Sequence, residues 1–350
     1  MQSQLESYRQ RIDNALADFF ESDLSAGGLE LNDYELKLLG YLKEFTLRPG
    51  KRLRGALTLF AYESLAGESS DSIINAAIAQ ELVQSYLCII DDVMDRSPER
   101  RGKPTVHRLL AAELGKSSEY LASMMAINVG LLGEHLASYI LSLIEAEPAR
   151  LSQASQVLHR NILATVYGQM DDLNNDLKVQ ATEAQIIHLL EMKVSYYSFI
   201  SPLQLGAILA GKAEPDFMKE IESIGRPAGV AFQLQDDLLG LFGNPTETGK
   251  SAQDDLKEGK FTLLMLYTLE RAGHQNAGLV RKALGNQHLS QSEFEEVQAI
   301  VENCGARSAV EAKAQEFSTK TKKAITSSSF DQAAKDFLSD LIDYVTSRNK

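Results

Sequence analysis

The chain has 350 residues, 44% of them hydrophobic and 24% charged, the profile of a globular protein with ample material for a core. Acids outnumber bases 48 to 35, a net charge of −13 that excludes nucleic-acid binding by bulk attraction to phosphate and, at first sight, disfavours any anionic ligand. Two cysteines, Cys88 and Cys304, exclude a disulfide framework and a cysteine-based zinc site and suit a reducing compartment. Residues 1–20 carry Glu6, Arg9, Arg11, Asp13 and Asp18 and no apolar signal core, so the expected address is the cytoplasm. Pro49-Gly50 breaks the chain before a helix. Residues 73–90 (IINAAIAQELVQSYLCII) lack Gly and Pro, and Ile74, Ile78, Leu82 and Tyr86 repeat every fourth position, a helical stripe. Residues 96–104 (RSPERRGKP) read as a charged loop. A long helix over 119–145 is loosened by Gly130 and Gly133, yet has no run of the ~18–20 uninterrupted apolar residues of a membrane span. Further helices are predicted at 151–177, 182–211, 216–242, 260–272, 291–303, 306–324 and 329–347, with loops at 213–215 and 243–259. Strand alternation and Asn-Gly or Asp-Gly hairpin signals are nearly absent. No linker or composition shift divides the chain, and no repeat of solenoid period recurs. The expectation is one large all-α domain over 1–350.

Two acidic clusters carry the chemistry. The helix over 73–90 runs directly into Asp91, Asp92 and Asp95. Asp91 and Asp95 are four apart, so both carboxylates share one helix face and repel unless a cation neutralises them. Mg²⁺ accepts carboxylate oxygen and completes its shell with phosphate and water. Arg100, Arg101 and Lys103 follow at once, and arginine forks match diphosphate oxygens. The plain alternative is a polar helix end followed by a solvated loop.

A second cluster weighs against that alternative. Residues 228–242 (AGVAFQLQDDLLGLF) again run an apolar helix into paired acids, Asp236 and Asp237, with Gln233 about one turn before. A basic loop follows, with Lys250, Asp254, Asp255 and Lys260. Two acid-tipped helices facing one another across a bundle would form a metal cage for a phosphorylated ligand. Gly50-Lys51-Arg52-Leu53-Arg54 adds a third basic element. Lys51 and Arg54, three apart, are expected on one face near a helix N-terminus, where backbone donors favour anions. Lys193, alone among apolar and aromatic residues in EMKVSYYSF, needs an anionic partner if it is buried.

These motifs, taken in order over roughly residues 40–310, resemble the trans-isoprenyl diphosphate synthases, the polyprenyl synthetase family: GKRLR at 50–54, DDVMD at 91–95, RRGKPTVH at 100–107, YGQMDD at 167–172, KVSYYSF at 193–199, and FQLQDDLLGLFGNP with TGK and DLKEGK downstream. The resemblance implies an isoprenoid-synthase helical bundle around a central apolar cavity. It implies Mg²⁺-dependent, head-to-tail condensation of isopentenyl diphosphate with an allylic diphosphate. Asp91, Asp95 and Asp236 match the family's carboxylates for Mg²⁺ and the allylic diphosphate, with Asp237 and Asp255 as supporting acids of the second cluster and Asp92 also expected at the metal. Arg100, Lys193, Lys250 and Lys260 match its cationic grip on the allylic diphosphate. Lys51, Arg54, Gln84 and Arg101 match its isopentenyl diphosphate site, and Gln169, Asp172 and Gln233 its reaction-centre lining. No protein base is nominated, because the departing pyrophosphate is thought to take the proton in this family. Members are commonly homodimers, and no membrane anchor is implied.

This sequence departs from the family pattern twice. Gly240 stands where many members have the third Asp of the second motif, and Val194 stands where threonine is common, with Ser195 as a candidate substitute. Tyr86 and Leu87, five and four residues before Asp91, are the expected floor of the product cavity. An aromatic there with no insertion in DDVMD is similar to short-chain synthases of the geranylgeranyl type, with farnesyl diphosphate synthase as the alternative. A class I terpene cyclase would carry a different second metal motif, and a non-catalytic subunit of a heteromeric synthase would have lost acids that persist here. The −13 charge is therefore compatible with anionic substrates, because a bound metal reverses the local sign.

Overall fold

The computed structural model describes residues 1–67, 71–115, 118–243 and 252–346, and the described residues are all-α apart from one small ribbon. Its elements in order are α1 (Gln2–Glu21), α2 (Asp33–Thr46), α3 (Leu53–Ala66), α4 (Ile74–Met94), β1 (Glu99–Arg100), β2 (Lys103–Pro104), α5 (Val106–Leu114), α6 (Glu119–Ser142), α7 (Pro148–Lys178), α8 (Glu183–Leu190), a π-helix (Glu191–Ile200), α9 (Ser201–Leu209), α10 (Pro215–Phe242), α11 (Asp254–Glu258), α12 (Leu263–Arg271), α13 (Gly273–Ala283), α14 (Gln291–Asn303), α15 (Ala306–Ser327) and α16 (Gln332–Thr346). Packing groups them into two compact units, 1–159 with 201–215 and 160–200 with 216–350. Each unit draws on two separate stretches of chain. The unit boundaries fall within helical sequence, where no linker composition could mark them.

In the first unit α4 packs along α6, and α3 lies between α4 and α9. Leu57, Leu59, Leu82, Ile89 and Ile140 are buried there. Gly130 and Gly133 do not loosen α6, which is continuous. They let α4 come close: a Cβ at Gly130 would lie 2.6 Å from Ile90, and one at Gly133 would lie 3.0 Å from the Tyr86 Cβ. By length and composition α6 could cross a membrane, and 44% of its apolar window is buried inside the protein. In the second unit Val230, Leu234, Leu263, Val280, Val301 and Val310 belong to one apolar core. Capping boxes at Thr182 and Ser290 start α8 and α14 by satisfying their first backbone donors.

Three local expectations are corrected. The 96–104 loop contains an antiparallel ribbon, Glu99 opposite Pro104. Its turn is made by Arg101 (φ 55°) and Gly102 (φ 70°), both left-handed as a two-residue hairpin requires, so an Arg-Gly pair does what Asn-Gly usually does. The helix expected over 182–211 is three segments, because residues 191–200 wind as a π-helix, a geometry frequent at functional sites. Lys51 is not on the helix with Arg54: Arg52 takes a left-handed conformation (φ 49°) at the N-cap and turns the chain before α3 begins at Leu53.

Candidate active site

In the first unit the charged segments are set by two buried arginines. Arg48, 2% exposed, pairs with Glu44 at 2.8 Å and donates to the Arg100 carbonyl at 3.0 Å and the Pro104 carbonyl at 2.7 Å. Arg52 pairs with Asp13 at 2.7 Å and Glu81 at 3.4 Å and donates to the Thr46 and Arg48 carbonyls at 2.9 and 3.2 Å. Glu81, itself buried, also accepts from the Gly55 N–H at 3.0 Å. These contacts fix the 48–54 turn against the β1–β2 ribbon. Arg101 donates to the Arg48 carbonyl at 3.2 Å, and its guanidinium lies across Gly50, where a Cβ would stand 3.3 Å away. The structure therefore brings Arg101 beside the turn that carries exposed Lys51 and half-buried Arg54.

The end of α4 holds the first acids. Asp95 donates its backbone N–H to the Asp91 carbonyl at 2.8 Å, so the helical path continues through the cluster and both side chains stay half-buried on one face. Asp92 differs. It is fully buried and accepts from Arg100 Nε at 2.9 Å and Nη2 at 2.5 Å, while Asp91 stands 3.7 Å from the same guanidinium. Burial opposes the Arg100 charge, but Asp92, Cys88 and Asp91 outweigh it and hold Arg100 well above its ordinary range. Two turns back on α4, Gln84 donates to Cys88 Sγ at 2.8 Å and keeps its amide oxygen buried with no partner among the described residues. Tyr86 is 5% exposed and Leu87 half-buried. After the ribbon, the Thr105 hydroxyl donates to the Ser97 carbonyl at 2.9 Å. That spends its single proton, so the 3.1 Å contact with His107 makes Nδ1 the donor.

In the second unit α7 crosses the π-helix at Gly168, where a Cβ would stand 2.3 Å from the Lys193 backbone nitrogen. This places half-buried Gln169 and Asp172 beside Lys193. Asp172 Oδ2 accepts Lys193 Nζ at 2.5 Å and Lys260 Nζ at 3.4 Å, so two ammonium groups converge on one carboxylate oxygen. Asp176, one turn along α7, pairs with Lys260 at 3.6 Å and accepts the Phe261 N–H at 2.8 Å. On α10 Gln233 donates to Asp237 Oδ1 at 2.9 Å. Burial pushes the Asp237 carboxyl up to about 8, and the Asp255, Asp236 and Asp172 carboxylates add to the rise against the Gln233 bond. A small cavity is lined by Asp237, Asp255, Lys260, Leu241, Thr262 and Met265. Ser195 is no substitute for a threonine at 194: its hydroxyl donates to the Arg226 carbonyl at 2.8 Å, and Val194 is buried. Lys250 lies outside the described residues.

Among the described residues no three His, Cys, Asp or Glu side chains already form a shell for an ion. The donors still fit Mg²⁺, which keeps several waters and needs one or two carboxylates plus substrate phosphate. A carboxyl whose pKa is raised by burial, and further by carboxylate neighbours, as that of Asp237 is, is a position where a divalent cation can displace a proton.

Arg48, Arg52, Glu81 and Asp176 were not among the expected site residues. Arg52 sits inside the GKRLR motif and Asp176 is four residues from Asp172, so spacing alone could flag both. Arg48 and Glu81 have no such signal: apart from Glu44, one turn before Arg48, their partners are remote in sequence.

Residues 36–301 match the family model described as polyprenyl synthetase. The chain is 33% identical over 225 residues to a geranylgeranyl diphosphate synthase of Methanosarcina mazei, an alignment covering 63% of this chain and 64% of that enzyme. It is 29% identical over 255 residues to the geranylgeranyl diphosphate synthase of Saccharolobus solfataricus, covering 72% of each. The fold superposes with a TM-score of 0.91, at 25% identity over 98% of this chain and 99% of the other, on a geranylgeranyl pyrophosphate synthase from Corynebacterium glutamicum complexed with isoprenyl diphosphate and magnesium.

Proposed function

Because the chain belongs to the polyprenyl synthetase family, we propose that it is a Mg²⁺-dependent prenyltransferase that adds isopentenyl diphosphate to an allylic diphosphate and makes geranylgeranyl diphosphate. The observation that carries this reading is the second-unit centre, where Asp237, Asp255 and Lys260 line one cavity and Lys193 and Lys260 converge on Asp172. In the first unit Asp91 and Asp95 take Mg²⁺ with the allylic diphosphate, while buried Asp92 positions Arg100 rather than reaching the ion. In the second unit Asp236 takes Mg²⁺, supported by Asp237 and Asp255. Bound Mg²⁺ supplies Lewis-acid stabilisation of the negative charge that grows on the departing diphosphate.

The chain's own residues do the rest. Lys193 and Lys260 are drawn to one point by Asp172, so an arriving diphosphate oxygen meets two cations already converged. Arg100 is oriented by Asp92, and Lys250 completes the cationic grip. Lys51, Arg54, Gln84 and Arg101 bind isopentenyl diphosphate, with Arg48 and Arg52 holding the turn in register. Gln169 and Gln233 line the reaction centre. Apolar walls exclude the water that would quench an allylic cation. Tyr86 and Leu87 close the floor at a twenty-carbon product.

Exposed apolar side chains favour a homodimer: Tyr120 (78%), Leu121 and Leu131 in the first unit, and Leu163, Tyr167 and Leu177 (85%) in the second. The thiols Cys88 and Cys304 are free, which suits the cytoplasm.

The test is the product formed by purified protein from dimethylallyl and isopentenyl diphosphates with Mg²⁺. The expected product has twenty carbons. A fifteen-carbon product would replace the geranylgeranyl assignment with farnesyl, and thirty carbons or more would overturn the short-chain reading. A hydrocarbon formed without isopentenyl diphosphate would indicate a cyclase. No pyrophosphate release by the chain alone would indicate a non-catalytic subunit.

A further inference from the structure

The two acidic helix ends differ at one position. The first reads Asp91-Asp92-Val93-Met94-Asp95, and the second reads Asp236-Asp237-Leu238-Leu239-Gly240. Position 240 stands one turn beyond Asp236, as Asp95 stands one turn beyond Asp91. The space at Gly240 is nonetheless occupied: a Cβ built there would lie 2.1 Å from Asp255 Oδ2 and 3.1 Å from its Cγ. Real Cβ atoms do not make such contacts, so any side chain at 240 must displace the Asp255 carboxylate. Asp255 is in the first turn of α11, and its backbone carbonyl accepts the Gly259 and Lys260 N–H groups at 3.1 and 3.0 Å, which fixes the stem of its side chain. Asp255 and Lys260 also line the same cavity as Asp237.

We propose that Gly240 is a positioning residue of the second acidic centre, its missing side chain opening the place in which the Asp255 carboxylate stands as the third acid that α10 itself does not carry. The centre thereby takes its third carboxylate from a different segment, in the position the first centre fills with Asp95. Gly240 touches neither ion nor substrate and acts through Asp255. The proposal rests on the reading of this centre as a Mg²⁺–diphosphate site.

The experiment has two independent arms. The first is a thermal-melt cycle without ligand. Alanine is a better helix former than glycine, so Gly240→Ala raises Tm in an Asp255→Ala background. In the wild-type background the displaced carboxylate cancels that gain. Equal Tm changes in the two backgrounds would overturn the packing relationship. The second arm measures the Mg²⁺ concentration at which inorganic pyrophosphate stabilises the protein by half its maximum. Gly240→Ala and Asp255→Ala each raise that concentration about 10- to 100-fold, the usual cost of losing a group that supports a metal site. Gly240→Asp combined with Asp255→Ala returns the acid to α10 and restores the response to within about threefold of wild type. A wild-type response in Asp255→Ala, or no recovery in the relocated double variant, would overturn the proposal. A wild-type protein that ignores Mg²⁺ and pyrophosphate would overturn the functional reading instead, and the melt cycle would still decide the Gly240–Asp255 relationship.

Discussion

Arg100 grips the fully buried Asp92 through Nε at 2.9 Å and Nη2 at 2.5 Å, while the neighbouring Asp91 stays half-exposed 3.7 Å from the same guanidinium. Adjacent carboxylates thus have different work. Asp92→Asn leaves a largely buried arginine with Asp91, 3.7 Å away, as its remaining carboxylate, and breaking such a pair costs about 3–5 kcal/mol. The low end applies, since the Arg100 side chain keeps 17% exposure. Asp92→Asn should therefore lower stability by about 3 kcal/mol and raise the KM for the allylic diphosphate, with Mg²⁺ dependence largely kept. Asp91→Asn should do the reverse: small loss of stability, large loss of Mg²⁺ response. Chemical denaturation and Mg²⁺ titration of both variants check the assignment.

Arg52 holds the turn before Arg54, at the proposed isopentenyl diphosphate site. Its side chain is 2% exposed and spends its donors on Asp13, Glu81 and two carbonyls of the 46–48 turn. Lysine keeps the charge but cannot reach four acceptors from one point. Arg52→Lys should raise the KM for isopentenyl diphosphate at least about tenfold, an effect of ~1.4 kcal/mol, and leave the allylic KM within about threefold. Steady-state kinetics with each substrate varied in turn measure the split.

Sequence reasoning reached the helical class, the acid pairs and the basic partners because each is a local pattern. DDVMD, QLQDD and GKRLR are read from spacing on one element. The misreadings also have local causes. Lys51 falls off the helix because Arg52 adopts a left-handed conformation that arginine seldom takes. The π-helix at 191–200 has the same residue types as an α-helix, so periodicity cannot separate them. The convergence of Lys193 and Lys260 on Asp172 joins positions 21 and 88 residues apart, and Asp255 filling the place of a side chain at Gly240 is a tertiary relationship with no local signature.

His107 makes the ribbon sensitive to acid. It is 7% exposed, and burial, aided by Arg108, pushes its pKa down to about 4. The unfolded chain therefore binds a proton below about 6.5 while the folded chain resists it. Stability from this group is fully present above that pH and is lost as pH falls towards 4. Because Nδ1 already donates to Thr105, the second proton goes on Nε2, and the cost of charging His107 is that of a buried cation beside Arg108. Melts at several pH values between 7.5 and 4.5 should show a decline that His107→Asn reduces. Asparagine offers an amide donor near the Nδ1 position and does not titrate. An unchanged slope in that variant would assign the decline to other groups.

Tyr86 sets the last expectation. Its Cβ stands 3.0 Å from where a Gly133 Cβ would be, with Leu42 Cδ1 at 3.2 Å from the same point, so the missing side chain at Gly133 is what lets α6 come this close to Tyr86. The side chain is 5% exposed, so a chain that grows past it must displace it. Tyr86→Ala removes it. The core loses about 3–5 kcal/mol, as for other buried aromatic truncations, and the vacated volume admits one or more further five-carbon units. The product should shift from twenty carbons to twenty-five or longer, read by chromatography of the dephosphorylated alcohols. Gly133→Ala acts in the opposite sense, because the added methyl presses on the base of Tyr86 and leaves no room for it to relax. It should shorten the mean product or slow the last addition, with the first condensation unaffected. If both variants make the wild-type product spectrum, the floor lies elsewhere and Tyr86 is only a core aromatic.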